Sequence, residues 1–359
     1  MGIDFNRCIR NCWNRLEFLG KQGLLAGNKE IHFKKMKAYA LRLKDKHELN
    51  KSSSGGAFTA ISDVFLDSGN AVVSAIYNYE TNQNEFVLYT TKEDRNKARG
   101  SKYMQAYPLN SFQEAEQWIK ANDKELLFVG TGCQADGFRR YAEQKGFKDK
   151  TTIVGIICHG SPSPKIWKDY IGGKVDYLTF KDKRNGWSHP SAYVIKDGKE
   201  KSISDYVSIF YNKCALRPSC YECPYATTER KVDLTIGDFW GIDKVLPDFY
   251  SPEGNSLILV HTDKGQKLFE KIKDEVEWRE SNVTDCLQPN LIKPTEKSPR
   301  REEFWTDYQM KGISFVLKKY AGTSLMSKIK RKVRKILGGE GTLIPIHLYG
   351  GQQYASICC

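Results

Sequence analysis

Apolar residues recur along this chain in two rhythms. In Lys37–Leu43 (KAYALRL) they alternate with polar ones, the period of a half-buried strand. After the Ser52-Ser53-Ser54-Gly55-Gly56 loop, Ala57, Phe58, Ile61, Val64 and Phe65 follow helical spacing, with Gly69 placed to end the helix. Apolar runs at 71–77, 85–89, 125–129 and 151–157 predict strands. The third of these enters Gly130-Thr131-Gly132-Cys133-Gln134 and a helix carrying Phe138 and Tyr141. The fourth enters Cys158-His159-Gly160, and a proline then opens a helix at Ile166-Trp167. A strand is expected from Val175 to Phe180. Ala192–Lys196 and the Asp197-Gly198 turn predict a hairpin. Strands at 232–236 and 256–261 follow, then a helix over 265–276 with Leu268, Phe269 and Ile272 on one face. Strands alternating with helices predict a mixed α/β (α+β) fold: a largely parallel or mixed sheet flanked by helices, with a smaller cysteine-rich part.

From Glu280 the pattern turns irregular, and 287–299 reads as an extended arm. Residues 324–337 then carry six basic side chains and no acidic one, with Leu325, Ile329, Val333 and Ile336 on one helical face. A basic amphipathic helix suits an anionic membrane surface or an acidic partner. It reads equally as a solvated helix packed on the core. The expected division is a leader over 1–35, a core over 36–280 and an extension over 281–359.

With 359 residues the chain can bury a core without metal or disulfides to hold it. The net charge of +13 is partly local to the tail, and no nucleic-acid-binding motif accompanies it, so no nucleic-acid partner is expected. No stretch approaches the roughly 20 apolar residues of a membrane span. The first residues lack an apolar signal core. The expectation is a cytoplasmic protein, with 324–337 offering peripheral contact at the inner membrane face. Ten cysteines in such a protein do not read as a disulfide framework; the clustered ones read as metal or cluster ligands.

The densest chemistry lies in 214–243. Cys220 and Cys223 form a C-x-x-C pair followed by Pro224, with Cys214 close in sequence. Cys133 or Cys158, at the ends of two expected strands, would complete a set of four. Such a set suits an iron–sulfur cluster or structural zinc, and spacing leaves both open. The serine–glycine loop offers backbone N–H groups to a phosphate, or simply caps a helix. By its chemistry alone, the turn over 99–103 belongs at the surface. Ser53, Lys102, Tyr103 and Trp240 would serve a flavin only if the fold gathers them. A rival chemistry makes Cys133 a nucleophile and His159 its base, as in a thiol hydrolase or amidotransferase, and leaves 214–223 unexplained.

Seven motifs, in order, carry a resemblance: SSSGGAFT (52–59), RGSKY (99–103), GTGCQ (130–134), ICHGSPSP (157–164), FKDKRNGW (180–187), LRPSCYECP (216–224) and DLTIGDFWG (233–241). Together they resemble the coenzyme F420 hydrogenase/dehydrogenase beta-subunit family. The resemblance implies an iron–sulfur flavoprotein oxidoreductase that moves electrons or hydride between a [4Fe–4S] cluster, FAD and a deazaflavin (coenzyme F420) or similar acceptor. Carried over by motif, Ser53, Ser54, Gly55, Gly56, Lys102, Tyr103, Gly130, Thr131, Gln134, Asp238 and Trp240 would bind the flavin. Cys133, Cys214, Cys220 and Cys223 would bind the cluster, with Cys158 in reserve. His159 would be an acid/base group. Family members often carry a ferredoxin-like segment ahead of the serine loop; Cys8 and Cys12 do not supply one, which implies a separate ferredoxin-like redox partner. The tail beyond Glu280 resembles those of stand-alone relatives encoded with polysaccharide-biosynthesis enzymes, which adds such enzymes as candidate partners. A non-redox, metal-binding scaffold for surface-glycan assembly is the alternative.

Overall fold

The alternating run at the start of the core forms an inner strand of a large sheet. The computed structural model describes residues 36–321, all within one compact unit. The expected leader, the basic helix over 324–337, and Cys8, Cys12, Cys358 and Cys359 lie outside the described residues. Strands β1 (Lys37–Leu43), β2 (Ala71–Asn78), β3 (Gln83–Tyr89), β4 (Ala106–Tyr107), β5 (Leu126–Thr131), β6 (Thr151–Ile156), β7 (Tyr177–Asp182), β8 (Ser191–Lys196), β9 (Lys199–Ser202), β10 (Leu234–Asp238), β11 (Ser256–Val260) and β12 (Val276–Ser281) make two sheets. The nine-stranded sheet has the order β12-β1-β11-β10-β6-β5-β2-β3-β4. Its centre, β10-β6-β5-β2, is parallel, and β12, β1 and β11 add on antiparallel. The architecture is the mixed α/β one expected from the pattern.

Alternation explains why both faces are covered. Leu127 and Val129 of β5 point to the face packed by helices Ala57–Asp67 and Asp263–Ile272, where Ile61, Phe65 and Phe269 are buried. Leu126 and Phe128 point to the other face, where Phe128 stacks on Phe138 of helix Gly132–Gln144 with ring centroids 4.2 Å apart. Each fully buried side chain of this size contributes about 1.5–3 kcal/mol.

The second sheet, β7-β8-β9, turns at Asp197 and Gly198, both at positive φ (50° and 70°), as a two-residue hairpin requires. It joins helices Pro164–Ile171, Ser204–Tyr211 and Arg301–Tyr320 around Trp167, Tyr206 and Phe304. Two elements differ here from the expected pattern: the helix expected over 265–276 ends at Ile272, and the chain after Glu280 is not irregular throughout. β12 begins at Val276 and pairs with β1, with Leu41 opposite Trp278. Residues 301–320 form two helical segments that kink at Gly312 (φ 74°) and place Phe304, Tyr308, Val316 and Tyr320 in this second core. Among the described residues no helix is long and apolar enough to cross a membrane.

Candidate functional site

In open parallel sheets, ligands bind beyond the carboxyl ends of the strands. Strands β5 and β6 are neighbours with Thr131 opposite Ile156, so Cys133 and Cys158 each lie two residues past the last pair. The loop bearing Cys220 and Cys223 folds back over these ends. The Leu216–Pro162 bridge and the Arg217 N–H donating to the Ser161 carbonyl (2.9 Å) anchor it beside Cys158. Gly160 is at φ 134°, and a Cβ there would lie 3.4 Å from the Cys220 Cβ. Gly132 has no room for a side chain because the Tyr225 Cβ would lie 2.6 Å away. That close approach sets Cys133 beside the C-x-x-C loop, and the Tyr225 hydroxyl seals it by donating to Asp136 (2.9 Å).

Three of these thiols feel their neighbours. Burial pushes the Cys158 thiol up, and the neighbouring Cys133, Cys220 and Cys223 push it further. Cys220 and Cys223 are likewise raised, chiefly by burial and then in part by Cys133. Among the described residues no three His, Cys, Asp or Glu side chains are gathered tightly enough to hold a single metal ion.

Cys214, which sequence proximity groups with Cys220 and Cys223, is elsewhere. It is buried in the second core, where its thiol donates to the Ser298 hydroxyl (3.3 Å), and Arg300 and Glu303 are its charged neighbours. The reason is topological: just after Cys214, the Leu216–Pro162 bridge directs the chain outward to the strand ends. Cys158 joins the other three instead.

A second group of motif residues gathers around the serine loop. Gly55 lies against two strands: a Cβ would come within 2.2 Å of the Leu41 carbonyl oxygen and 2.5 Å of the Ser256 nitrogen. Gly56, at φ 87°, starts helix Ala57–Asp67 without a side-chain cap. The Ser53 hydroxyl accepts from the Ser101 N–H (2.8 Å) and Ser54 donates to the Asn255 carbonyl (2.8 Å). The turn over 99–103 is therefore docked on the loop. The Lys102 ammonium donates back to the carbonyls of Ala98, Arg99 and Gly100, and burial pulls its pKa down to about 7. Tyr103 stacks on Phe210 (4.4 Å, 2° between planes) and meets the Tyr211 hydroxyl at 3.3 Å.

Asp238 ends β10 in a cage. It accepts from Lys181 (2.6 Å) and from the Trp187 indole N–H (2.9 Å). Trp187 stacks on Trp240 (4.8 Å, 4°), with the Lys181 ammonium 5.2 Å from the Trp240 ring centroid. The Lys183 ammonium donates to the carbonyls of Leu49, Ser54 and Glu253, tying the serine loop to the loop before β11. Burial, with Lys181 nearby, lowers its pKa to about 8.

His159 bridges the two groups. It follows Cys158, and its ring lies 5.1 Å from Phe210 and 5.6 Å from Tyr211. Burial and Lys213 pull its pKa down to about 4, so at neutral pH it is uncharged. Gly130, Thr131 and Gln134 fall at the thiol end. Thr131 and Gln134 form a capping box at the start of helix Gly132–Gln144, and the Thr131 hydroxyl is 3.4 Å from the Cys133 sulfur.

Four residues of this neighbourhood were not among the expected site residues: Lys181, Lys183, Trp187 and Arg230. The first three lie inside the FKDKRNGW motif, which carried the only signal. Arg230 carries none.

Fold and site together define an α/β protein whose parallel strand ends carry a thiol cluster and a lysine–tryptophan–aspartate cage. The chain belongs to the coenzyme F420 hydrogenase/dehydrogenase beta-subunit family: the model of that subunit's N-terminal part matches residues 38–114, and the model of its C terminus matches 123–285. It is similar to one of the subunits of the F(420)H(2) dehydrogenase of Methanosarcina mazei, 25% identical over 64% of this chain and 61% of that one. It is likewise similar to the beta subunit of the coenzyme F420 hydrogenase of Methanococcus voltae, 25% identical over 74% of this chain and 91% of that one. The match thus spans less than two thirds of the first relative's length. Among solved structures, a chain of the F420-reducing [NiFe] hydrogenase complex of Methanosarcina barkeri, studied by xenon derivatization, overlays with a TM-score of 0.48. That overlay has 18% identity and covers 84% of this chain and 92% of that one.

Proposed function

We propose that this chain is an iron–sulfur flavoprotein oxidoreductase in which Cys133, Cys158, Cys220 and Cys223 hold a [4Fe–4S] cluster. FAD would lie along the serine loop and the Trp187–Trp240 cage, and a deazaflavin (coenzyme F420) or similar carrier would be the acceptor. The observation that carries this reading is the convergence of four thiols from three separate segments. Four thiolates are the ligand set of such a cluster. Structural zinc takes the same thiolate ligands, and metal analysis separates the two. Names of the relatives, parts of a dehydrogenase and of a hydrogenase, support a redox role and a protein redox partner, ferredoxin-like in our reading.

When bound, the flavin supplies two-electron chemistry and the cluster one-electron chemistry. The chain's own residues hold and separate these centres. Ser53, Ser54 and Lys102 spend their side chains on protein partners, so phosphate contacts fall to backbone N–H groups near the uncapped start at Gly56. Neutral His159, between Cys158 and the Phe210–Tyr211 pair, orients that junction and offers a hydrogen bond without adding charge. The thiol-enzyme reading would pair Cys133 with His159. Against it, Cys133 sits by Thr131 and the other three thiols, while the His159 ring meets Phe210, Tyr211 and Thr295. A link to polysaccharide-biosynthesis enzymes rests only on the likeness of the tail.

Anaerobic purification with iron, sulfide, zinc and flavin analysis tests the reading. We expect about four irons per chain, bound flavin and bleaching by dithionite. Colourless protein with stoichiometric zinc and no cofactor uptake on reconstitution would replace it with the non-redox scaffold.

A further inference from the structure

A site of four thiolates concentrates negative charge, and partial burial raises the cost of leaving it uncompensated. One cation is built into its wall. Arg230, half-buried, lies between the C-x-x-C loop and β10. Its guanidinium donates from Nε to the Thr227 carbonyl (2.9 Å), from one Nη to the Ile156 carbonyl (3.2 Å) and from the other to the Asn290 carbonyl (3.2 Å). Those carbonyls belong to the loop four residues past Cys223, to the end of β6 two residues before Cys158, and to the turn Pro289–Ile292. One planar fork therefore fixes three segments, a geometry that lysine cannot reproduce.

The charge of Arg230 is not spent on a carboxylate. Among the described residues the ionisable groups that act on it are the thiols of Cys158 and Cys223, which a bound centre would hold as thiolates. Asp233, an acidic residue close in sequence, is committed elsewhere: it accepts from the Ile153 N–H (2.8 Å) and the Thr262 hydroxyl (2.7 Å). His261, beside Arg230, bonds Thr235 through Nε2 (2.8 Å).

We propose that Arg230 is the fixed counter-cation of the four-thiolate site, favouring the more negative, reduced state of the centre bound there. It rests on the iron–sulfur reading above. On reduction one electron enters from a one-electron donor and no bond forms or breaks, so the guanidinium acts through its field alone. Removing that charge makes the same electron harder to add.

The test uses the anaerobically purified, iron-loaded full chain as wild type, Arg230→Gln and Arg230→Lys. Iron and sulfide are counted, and the midpoint potential is read by electron paramagnetic resonance during stepwise dithionite titration. We expect Arg230→Gln to keep its iron and to shift negative. At the wild-type midpoint its reduced-to-oxidised ratio falls about ten-fold, equivalent to about 59 mV for one electron. Arg230→Lys keeps the charge and stays near the wild-type midpoint even if it binds iron less well. A fully loaded Arg230→Gln with an unmoved midpoint would overturn the proposal. So would an Arg230→Lys protein shifted negative as described for glutamine; this second readout decides the matter if Arg230→Gln fails to load. Wild type without iron would instead sink the iron–sulfur reading, and the proposal with it.

Discussion

The two ends of the seam are built differently. At the serine end, the named polar side chains already have protein partners: Ser53 with Ser101, Ser54 with Asn255, Lys102 with three carbonyls, and Asp238 with Lys181 and Trp187. At the thiol end, Cys133, Cys158, Cys220 and Cys223 are neighbours on loops that glycines allow to approach closely. The first end is finished as protein and leaves its backbone for a ligand. The second brings four thiols from three segments close together, and a metal centre bound there would take them as thiolates. Substitutions should therefore cost stability at the serine end and cofactor retention at the thiol end.

The largest stability loss is expected for Gly55→Ala. The new Cβ would meet backbone atoms at 2.2 and 2.5 Å, and neither strand can yield cheaply. We expect a loss of roughly 3 kcal/mol or more in urea unfolding. A loss below about 1 kcal/mol would mean that the loop is looser than described.

Asp238→Ala should follow closely. It would strand the Lys181 ammonium, whose side chain is 3% exposed, and the Trp187 indole N–H. Breaking one partner of such a pair costs about 3 kcal/mol. Asp238→Asn, which keeps an acceptor, should lose about half as much. Equal losses would show that charge, not hydrogen bonding, dominates the cage.

A smaller, pH-dependent effect comes from His261, behind the thiol end. Burial, helped by Arg230, lowers its pKa from 6.5 to about 4. As pH falls below 6.5 the unfolded chain takes up this proton first. The stability of the neutral form is thus present above that pH and is lost toward pH 4, at about 1.4 kcal/mol per pH unit. His261→Gln should flatten the slope of unfolding free energy between those values. An unchanged slope would assign the acid sensitivity to other groups.

Legibility in the sequence followed the range of the forces involved. β1 and the Asp197-Gly198 hairpin were legible because alternation and turn chemistry are local. β12 was not: it is an edge strand with outward polar residues, directly after a helix whose apolar pattern runs into Val276. Nor was helix Arg301–Tyr320, in which Gly312 (φ 74°) breaks the periodicity that would have marked it. At the site, Cys220 and Cys223 were legible from spacing. The choice between Cys214 and Cys158 was not, because the register of β5 against β6 makes it, and register is a long-range property. Lys181 and Lys183 stand in a run of charge whose pattern carries no sign of burial; long-range packing sets their ammonium groups against Asp238 and three carbonyls.

The most direct measurement compares iron and sulfide content in Cys158→Ser and Cys214→Ser, purified and reconstituted side by side without oxygen. We expect Cys158→Ser to lose most of its iron. Cys214→Ser should keep about four irons per chain and lose only modest stability from its place in the core. Full iron in Cys158→Ser together with an iron-free but folded Cys214→Ser would contradict the four-thiol site described here.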